Sequence, residues 1–573
     1  MGLHPAERVA EYRSKGYWND DLIGALFEQR VRDDPDTVAL VDPLNRADLV
    51  DGPFRELTWR ELEDQVDRMA QVLLDEGVGP GDVVGVQLPN CVEIVVAFLA
   101  TLRLGATVTP FPVQYRSYEL TKLSNVANVQ LFVTSTRIGK TREAARELVE
   151  LRESIPSLKQ ILAFGDNVPQ GVIGLDQRIA SATDRSALAA FRATLELDPN
   201  DCVTICWTSG TESTPKGVPR SHYDWIAMSW TTVEAPLLTK DDVLINPFPM
   251  VNMAGINGMF LPWLRVGGVL VQHHPFDLAT FLTQVSTYRA TYTVAPPALL
   301  TQLLHDEALL ANADISSLRL LGSGSTPLAP SLLQGWRDKY GVEILNLYGS
   351  NEGIVLFSGP VDVPDPTERA MYFPRYGVPG RKWSFRVSEW MQVKIVDITT
   401  REEIIEPGRP GELLIKGPTV FAGYLPASGV NDPFDADGFL ITGDLLEIAG
   451  DELQYLHYVD RTKDIVVRGG MKVSASELET FIAGHPKVAD VAVIAYPDEI
   501  LGEKACAVVV PRTGEVPTLD EIVAYLREIG IATFKLPERL EIVESLPRNP
   551  VGKVLKRDLR SIFSAPKSGS HGA

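Results

Sequence analysis

Short apolar runs alternate with stretches of helical spacing along most of this chain, and that alternation confines it to an α/β architecture before any motif is considered. Thr58-x-x-Glu61 is a capping box opening a helix whose apolar positions Leu62, Val66, Met69, Leu73 and Leu74 share one face, and Gly77 closes it. The pattern predicts a strand over 83–88, a helix over 93–104 stopped by Gly105, and extended chain over 106–110. Further strands are expected at 131–134, 243–246, 292–295, 318–321 and 343–347, with helical pattern between them. At 573 residues the chain exceeds what one hydrophobic core holds, so at least two domains are expected, the larger one subdivided. A charged, turn-rich stretch over 451–470 gives way to a compact pattern: helix 476–483, strands 488–495 and 505–510, helix 519–529. The boundary is therefore placed near Lys463, dividing a large α/β domain (1–462) from a small α+β domain (463–573) whose last residues, 564–573, read as a frayed tail.

Composition excludes some partners. A net charge of −21 disfavours nucleic acid and anionic membrane, while leaving room for a local basic patch facing an anionic substrate. The apolar run 94–102 is far short of the ~20 residues that span a bilayer. The longer run 253–271 carries Asn257, Pro262 and Arg265 and reads as buried core. His4, Glu7, Arg8, Glu11, Arg13 and Lys15 punctuate the first turns, so no signal peptide is expected and the reading is cytoplasmic. The four cysteines are scattered, and Cys202-x3-Cys206 lies in an apolar strand with no second ligand pair, which favours buried strand cysteines over a metal site. His273 and His274 also lack further ligands at a suitable spacing, and His222 reads as a packing or capping residue.

Chemistry concentrates in one loop. Trp207-Thr208-Ser209-Gly210-Thr211-Glu212-Ser213-Thr214-Pro215-Lys216-Gly217-Val218 follows the apolar run 203–206, so a strand feeds a loop rich in hydroxyls and glycine and closed by a lysine. Hydroxyls and backbone amides suit polyphosphate oxygens, and the lysine supplies a point charge. The commoner P-loop has Gly before its Lys and Ser or Thr after it; here Pro215 and Gly217 flank Lys216, so another nucleotide chemistry is implied. Four later segments fit a nucleotide. Tyr348-Gly349-Ser350-Asn351-Glu352 places an aromatic face and a carboxylate a turn apart, and Gly438 to Asp444 ends in a carboxylate able to accept both ribose hydroxyls. Asp460-Arg461-Thr462-Lys463-Asp464 leads into Arg468-Gly469-Gly470, and Leu546-Pro547-Arg548-Asn549-Pro550-Val551-Gly552-Lys553 closes the set.

In this order the segments resemble the adenylate-forming superfamily: acyl- and aryl-CoA synthetases, stand-alone acid AMP ligases, peptide-synthetase adenylation domains and beetle luciferases. The resemblance implies ATP, Mg2+ and coenzyme A as cofactor and co-substrates. It implies that Thr208, Ser209, Gly210, Thr211 and Lys216 hold phosphates and that Glu352 coordinates Mg2+. Gly324, Ser325, Thr326, Asn346 and Tyr348 would line the adenine site, and Asp444 and Arg461 would bind ribose. Lys553 would be the catalytic lysine, Lys463 the hinge, and Gly469 and Gly470 the loop beside the thiol tunnel. Taken singly each has an ordinary use: Asp444 as a turn carboxylate, Tyr348 as a core aromatic, Lys553 as a solvated lysine, Arg461 paired with Asp460 or Asp464.

The chain departs from the superfamily's common pattern at Glu212 and Ser213, at Asn351 in place of Thr, and at Asp460 in place of Gly. A non-catalytic nucleotide-binding protein is one alternative these departures allow. Pro247 to Gly255 matches the region where the acid meets the α-phosphate. Framework segments such as Tyr12 to Trp18 look most like aryl-acid AMP ligases and cyclic-acid CoA ligases, but Asn252-Met253-Ala254 stands where dihydroxybenzoate-type ligases carry His-Asn-Tyr. Met253 and Ala254 favour an apolar acid, and Ala254 with Gly255 is read as leaving room for bulk, whether alicyclic, aromatic or medium-chain. The expected acceptor is coenzyme A, with the phosphopantetheine of a carrier protein as the alternative.

Overall fold

A computed structural model of the chain describes residues 2–208, 215–429, 431–468, 471–498, 500–548 and 553–563. Two sheets made mostly of parallel strands dominate its first part. One is eight-stranded, in the order Val355–Ser358, Glu343–Gly349, Leu320–Gly324, Tyr292–Val294, Val243–Asn246, Val269–Gln272, Val38–Val41, Glu56–Thr58, with antiparallel pairs at its two edges. The other is seven-stranded and centres on Val83–Val86 and Thr107–Pro110, with Cys202–Trp207 and the antiparallel Gly217–Ser221 at one side. Helix Trp59–Asp75 packs on the first sheet and on helix Val92–Arg103, which packs on the second. The predicted capping box at Thr58 and Glu61 is present. Every residue of Val92–Arg103 is buried; the helix is mostly apolar and enclosed by its neighbours, and its two charged residues are paired, Glu93 with Arg46 and Arg103 with Asp67. Trp59 stacks on Trp263 with centroids 4.7 Å apart, joining the Trp59–Asp75 helix to the helix Leu261–Val266.

Most predicted elements form close to their expected ends. The 253–271 run is mostly buried, with Met253, Ala254, Gly258 and 265–267 partly exposed, and it is not one element: it divides into a short helix Met253–Gly255, a π-helical turn Ile256–Phe260, helix Leu261–Val266 and strand Val269–Gln272. The pattern reading missed a five-stranded antiparallel sheet ordered Tyr372–Pro374, Tyr455–Arg461, Leu440–Ala449, Gly411–Lys416, Gln392–Val396. Its outer strands are short and interrupted by turn sequence, so no long apolar run announced it.

The C-terminal domain is separate, with a sheet of Met471–Ser474, Ile465–Arg468, Gly502–Pro511 and Val488–Asp498, and Arg539–Ile542 added parallel to Gly502–Pro511. Its own core includes Val466, Leu478, Ile482, Val493, Ile522 and Leu526. Asp460, the departure from the common glycine, has a structural use. Its buried carboxylate accepts from Ser474 Oγ (2.8 Å) and Ser476 N (3.0 Å), fixing the start of helix Ala475–Ala483 to strand Tyr455–Arg461.

Gly353 sits at φ +111°, and a Cβ there would lie 2.1 Å from Thr419 O. Gly353→Ala is therefore expected to destabilise the protein by more than about 1 kcal/mol, combining backbone strain with a clash against main chain. Denaturant unfolding followed by fluorescence reads the loss directly.

Candidate active site

Strand Cys202–Trp207 leads to Thr208, and the chain returns through Lys216 into Gly217–Ser221. The neck is closed by Thr208 N donating to Lys216 O (3.0 Å) and Lys216 N donating to Thr208 Oγ1 (3.1 Å). Ser209, Gly210 and Thr211, and the departures Glu212 and Ser213, lie outside the described residues. Lys216 Nζ stands 4.7 Å from the ring centroid of Tyr424. The Tyr424 hydroxyl donates to Glu352 Oε1 (2.9 Å), and burial together with the Glu352 charge raises the phenol well above its usual range, so it remains a donor. Sequence reasoning missed Tyr424; an aromatic directly after Gly423, a few residues beyond the Gly417-Pro418 turn, was the available signal.

Tyr424 belongs to a strap, residues 417–428, that crosses the site. Phe421 N donates to Glu352 O (3.0 Å), Leu425 N to Gly217 O (2.9 Å), and Gly217 N to Ser428 Oγ (3.1 Å). Thr419 Oγ1 donates to Gly353 O (2.8 Å). From behind, Arg8 donates to Val420 O (2.6 Å), Trp18 Nε1 to Pro418 O (3.0 Å), and the fully buried Arg220 to Thr419 O (2.8 Å) and Asn351 O (3.0 Å).

The residues expected at the nucleoside lie where the carboxyl ends of strands Leu320–Gly324 and Glu343–Gly349 meet the five-stranded sheet. Ser325 and Thr326 are exposed after strand Leu320–Gly324, and Gly324 lies so close to Leu347 that a Cβ would fall 2.0 Å from its carbonyl oxygen. Asp444 and Arg461 face one another across an antiparallel ladder, with Arg461 Nε 3.2 Å from Asp444 Oδ1. The Tyr348 hydroxyl donates to Asp444 Oδ2. Burial pushes the Asp444 carboxyl up, and Arg461 and the Tyr348 hydroxyl oppose that shift. Arg461 thus pairs with Asp444 rather than with Asp460 or Asp464 as a surface group. Asn346 is turned inward: its amide donates to Arg369 O and Ala370 O (both 3.0 Å), so it braces the strand more than it faces the cleft.

In the acid segment, Asn252 Oδ1 caps the short helix by accepting from Ala254 N (3.0 Å) and Gly255 N (3.4 Å). Asn351, the other departure from the common pattern, joins this segment to the phosphate strand. Its Oδ1 accepts from Met253 N (2.8 Å) and its Nδ2 donates to Trp207 O (3.2 Å). One expectation is corrected. Gly255 does not make room for a bulky acid, because a Cβ there would meet Pro249 O at 2.2 Å; the backbone already fills that space. Gly258 has the room instead, since a Cβ there meets only Met253 O, at 4.0 Å. Asn252, Met253, Ala254 and Gly258 are each partly exposed in a run otherwise buried, and the Met253 methyl lies against Gly349.

Lys553 is drawn to the same place. Burial lowers its ammonium to about 8, with Arg461 and Lys463 pushing the same way and Asp444 and Asp464 opposing. Lys463 is exposed between strands Tyr455–Arg461 and Ile465–Arg468, and its carbonyl accepts from Arg560 (3.2 Å). Gly469 and Gly470 lie outside the described residues. His222 Nδ1 accepts from Ile23 N (3.1 Å) and His273 contacts Gln284 and Asp277, both packing uses. Among the described residues no cluster of three or more His, Cys, Asp or Glu side chains could hold a metal. A single carboxylate such as Glu352 suits Mg2+ that arrives with phosphate ligands of its own.

The AMP-binding enzyme family matches residues 27–425, and the AMP-binding enzyme C-terminal domain matches residues 477–553. The chain belongs to this family and is an ATP-dependent acid–thiol ligase. It is 30% identical over 563 residues to a medium-chain fatty-acid–CoA ligase of Escherichia coli strain K12, covering 97% of this chain and 92% of that one. It is 29% identical over 568 residues to a 2,3-dihydroxybenzoate-AMP ligase of Bacillus subtilis strain 168, covering 98% and 97%. The structure of ATP-bound MatB from Rhodopseudomonas palustris superposes with a TM-score of 0.76 at 28% identity, over 94% of this chain and 99% of that one.

The lowered Lys553 ammonium sets a pH dependence. With its ammonium lowered to about 8, Lys553 is expected to lose its proton as pH rises through that value, and kcat/KM is expected to fall with it. In Lys553→Arg, whose charge persists, that alkaline limb is expected to vanish at a lower overall rate.

Proposed function

We propose that the chain is an AMP-forming carboxylate–CoA ligase that activates an apolar acid. The observation that carries this reading is the gathering of charge around Asp444: Arg461 and the Tyr348 hydroxyl bind its carboxylate, and Lys553 and Glu352, the latter held by Tyr424, act on it electrostatically. On this reading Lys216 and the phosphate loop hold the triphosphate, Ser325, Thr326 and Tyr348 flank adenine, and Asp444 accepts the ribose hydroxyls. Glu352 would hold Mg2+, which supplies charge neutralisation to the phosphates when bound. The acid lies along Met253, Ala254 and Gly258. Residues 1–462 form the domain that binds ATP and acid, and 463–573 the domain that brings Lys553, with Lys463 as hinge. The buried free thiols of Cys91 and Cys206 suit a cytoplasmic setting.

The chemistry asks little of a general base. A carboxylate, with a pKa of about 4 to 5, is already ionised at neutral pH and attacks the α-phosphorus directly, forming an acyl–AMP anhydride as pyrophosphate leaves. What the step needs is positive charge aimed at the crowded phosphate oxygens, which Lys553 and Lys216 would provide. The anhydride then acylates the thiol of coenzyme A: the C–S bond forms, AMP departs, and the thiol proton is released. Excluding water until the thiol arrives is the reason to close the site with a second domain.

The apolar preference is supported by Met253, Ala254 and the open space at Gly258, and by the kinship with a fatty-acid–CoA ligase. Incubation with ATP, Mg2+, coenzyme A and a panel of apolar carboxylic acids, read by mass spectrometry, is expected to yield AMP and one family of acyl-CoA products. A retained acyl adenylate that reacts with a phosphopantetheinylated carrier protein but not with coenzyme A would instead establish the carrier-loading reading that the dihydroxybenzoate-ligase kinship favours. Gly258→Leu should raise KM for the bulkiest accepted acid by roughly tenfold or more, the scale of a lost pocket contact, and leave KM for ATP unchanged.

A further inference from the structure

We propose that Tyr424 is a positioning residue that keeps the Lys216 ammonium and the Glu352 carboxylate apart, so that both stay available to a magnesium–nucleotide; this rests on the reading of the site given above. Opposite charges placed a short distance apart at a partly buried site attract one another strongly, and a direct Lys–Glu pair would satisfy each group before substrate arrived. Among the described residues neither side chain forms an ion pair. Tyr424 lies between them, with its ring 4.7 Å from Lys216 Nζ and its hydroxyl 2.9 Å from Glu352 Oε1.

A tyrosine suits this task because its two ends differ. The ring face attracts the ammonium without neutralising it, and the hydroxyl orients the carboxylate without bringing a charge. The nearby cation that could otherwise take the carboxylate, Arg220, is occupied: it donates to Asn351 O and Thr419 O, lies 3.7 Å from Asp224, and stacks 4.9 Å over Trp225.

The backbone supports the same conclusion. Three residues before Tyr424, Phe421 N is bonded to Glu352 O; one residue after it, Leu425 N is bonded to Gly217 O, next to Lys216. Phe421 also meets the Tyr424 ring edge-on, with centroids 4.9 Å apart. The phenol is therefore held in register with both groups by main-chain bonds to the segments that carry them, which a side chain filling space by chance would not require.

Tyr424→Phe removes the hydroxyl and keeps the ring; Tyr424→Leu removes both. ATP binding is titrated by calorimetry without acid, in EDTA and across a range of Mg2+ concentrations, and thermal midpoints and the KM for acid are measured alongside. The Mg2+ concentration giving half-maximal tightening of ATP binding is expected to rise roughly tenfold in Tyr424→Phe, the scale of losing a group that orients a metal ligand. Its affinity for ATP in EDTA, its midpoint and its acid KM should not change. Tyr424→Leu should also weaken ATP binding in EDTA, because Lys216 can then close on Glu352. A wild-type Mg2+ dependence that Tyr424→Phe leaves unaltered overturns the proposal alone. A wild-type ATP affinity indifferent to Mg2+ overturns the Glu352 assignment, and the proposal with it.

Discussion

The carbonyl oxygen of Thr419 occupies the space a side chain on Gly353 would need, and much of the site depends on that close approach. It lets the strap of residues 417–428 lie flat across the turn after Tyr348, so that Phe421 can bond Glu352 and Leu425 can bond Gly217. Residues distant in sequence become neighbours through main-chain hydrogen bonds, which fix distance more strictly than side-chain packing does. The helix Ala6–Ser14 and Trp18 press on the strap from outside through Arg8 and Trp18 Nε1. An N-terminal element thereby helps hold in place the strap that reaches Glu352 and Gly217.

The second organising feature is electrostatic. The chain carries a net charge of −21, yet positive charge is gathered where a nucleotide would lie, in Lys216, Arg461 and Lys553. Burial works against the charge on Lys553 and on Asp444. It lowers the Lys553 ammonium and raises the Asp444 carboxyl, and the groups offset one another in part. A site of this kind gains when a polyanion enters, since phosphates supply what the buried cations lack. Asn351 adds a mechanical link, because one amide touches both the acid segment and the end of the phosphate strand.

Much of this could be read from residue patterns, and the parts that could not share a cause. Helical spacing and capping chemistry are local, so helix Trp59–Asp75 and its capping box were visible directly. The five-stranded antiparallel sheet was not, because its strands mix charged and polar residues with apolar ones, and its outer strand Tyr372–Pro374 pairs only with the distant Tyr455–Arg461. Among site residues, charged groups in recognisable runs, such as Asp444, Arg461 and Glu352, were identifiable. Tyr424 was overlooked because its role arises from two partners far away in sequence. Gly255 and Gly258 show the same limit in reverse: both lack a side chain, and only the fold reveals that Pro249 fills the space at one while the other stays open. The unusual Asn351 and Asp460 raised the question of a decayed enzyme, and each instead has defined partners in the structure.

The central claim is that Lys553, carried by the C-terminal domain, acts on the phosphate step and not on the thiol step. Rapid-quench measurement of both half-reactions in wild type and Lys553→Ala tests it most directly. Acyl-adenylate formation from ATP and acid should fall by roughly a hundredfold or more, the scale of losing a charge aimed at a transition state. Thioester formation from preformed adenylate should stay within a few-fold of wild type. Equal losses in both half-reactions, or an unimpaired first one, would contradict the account.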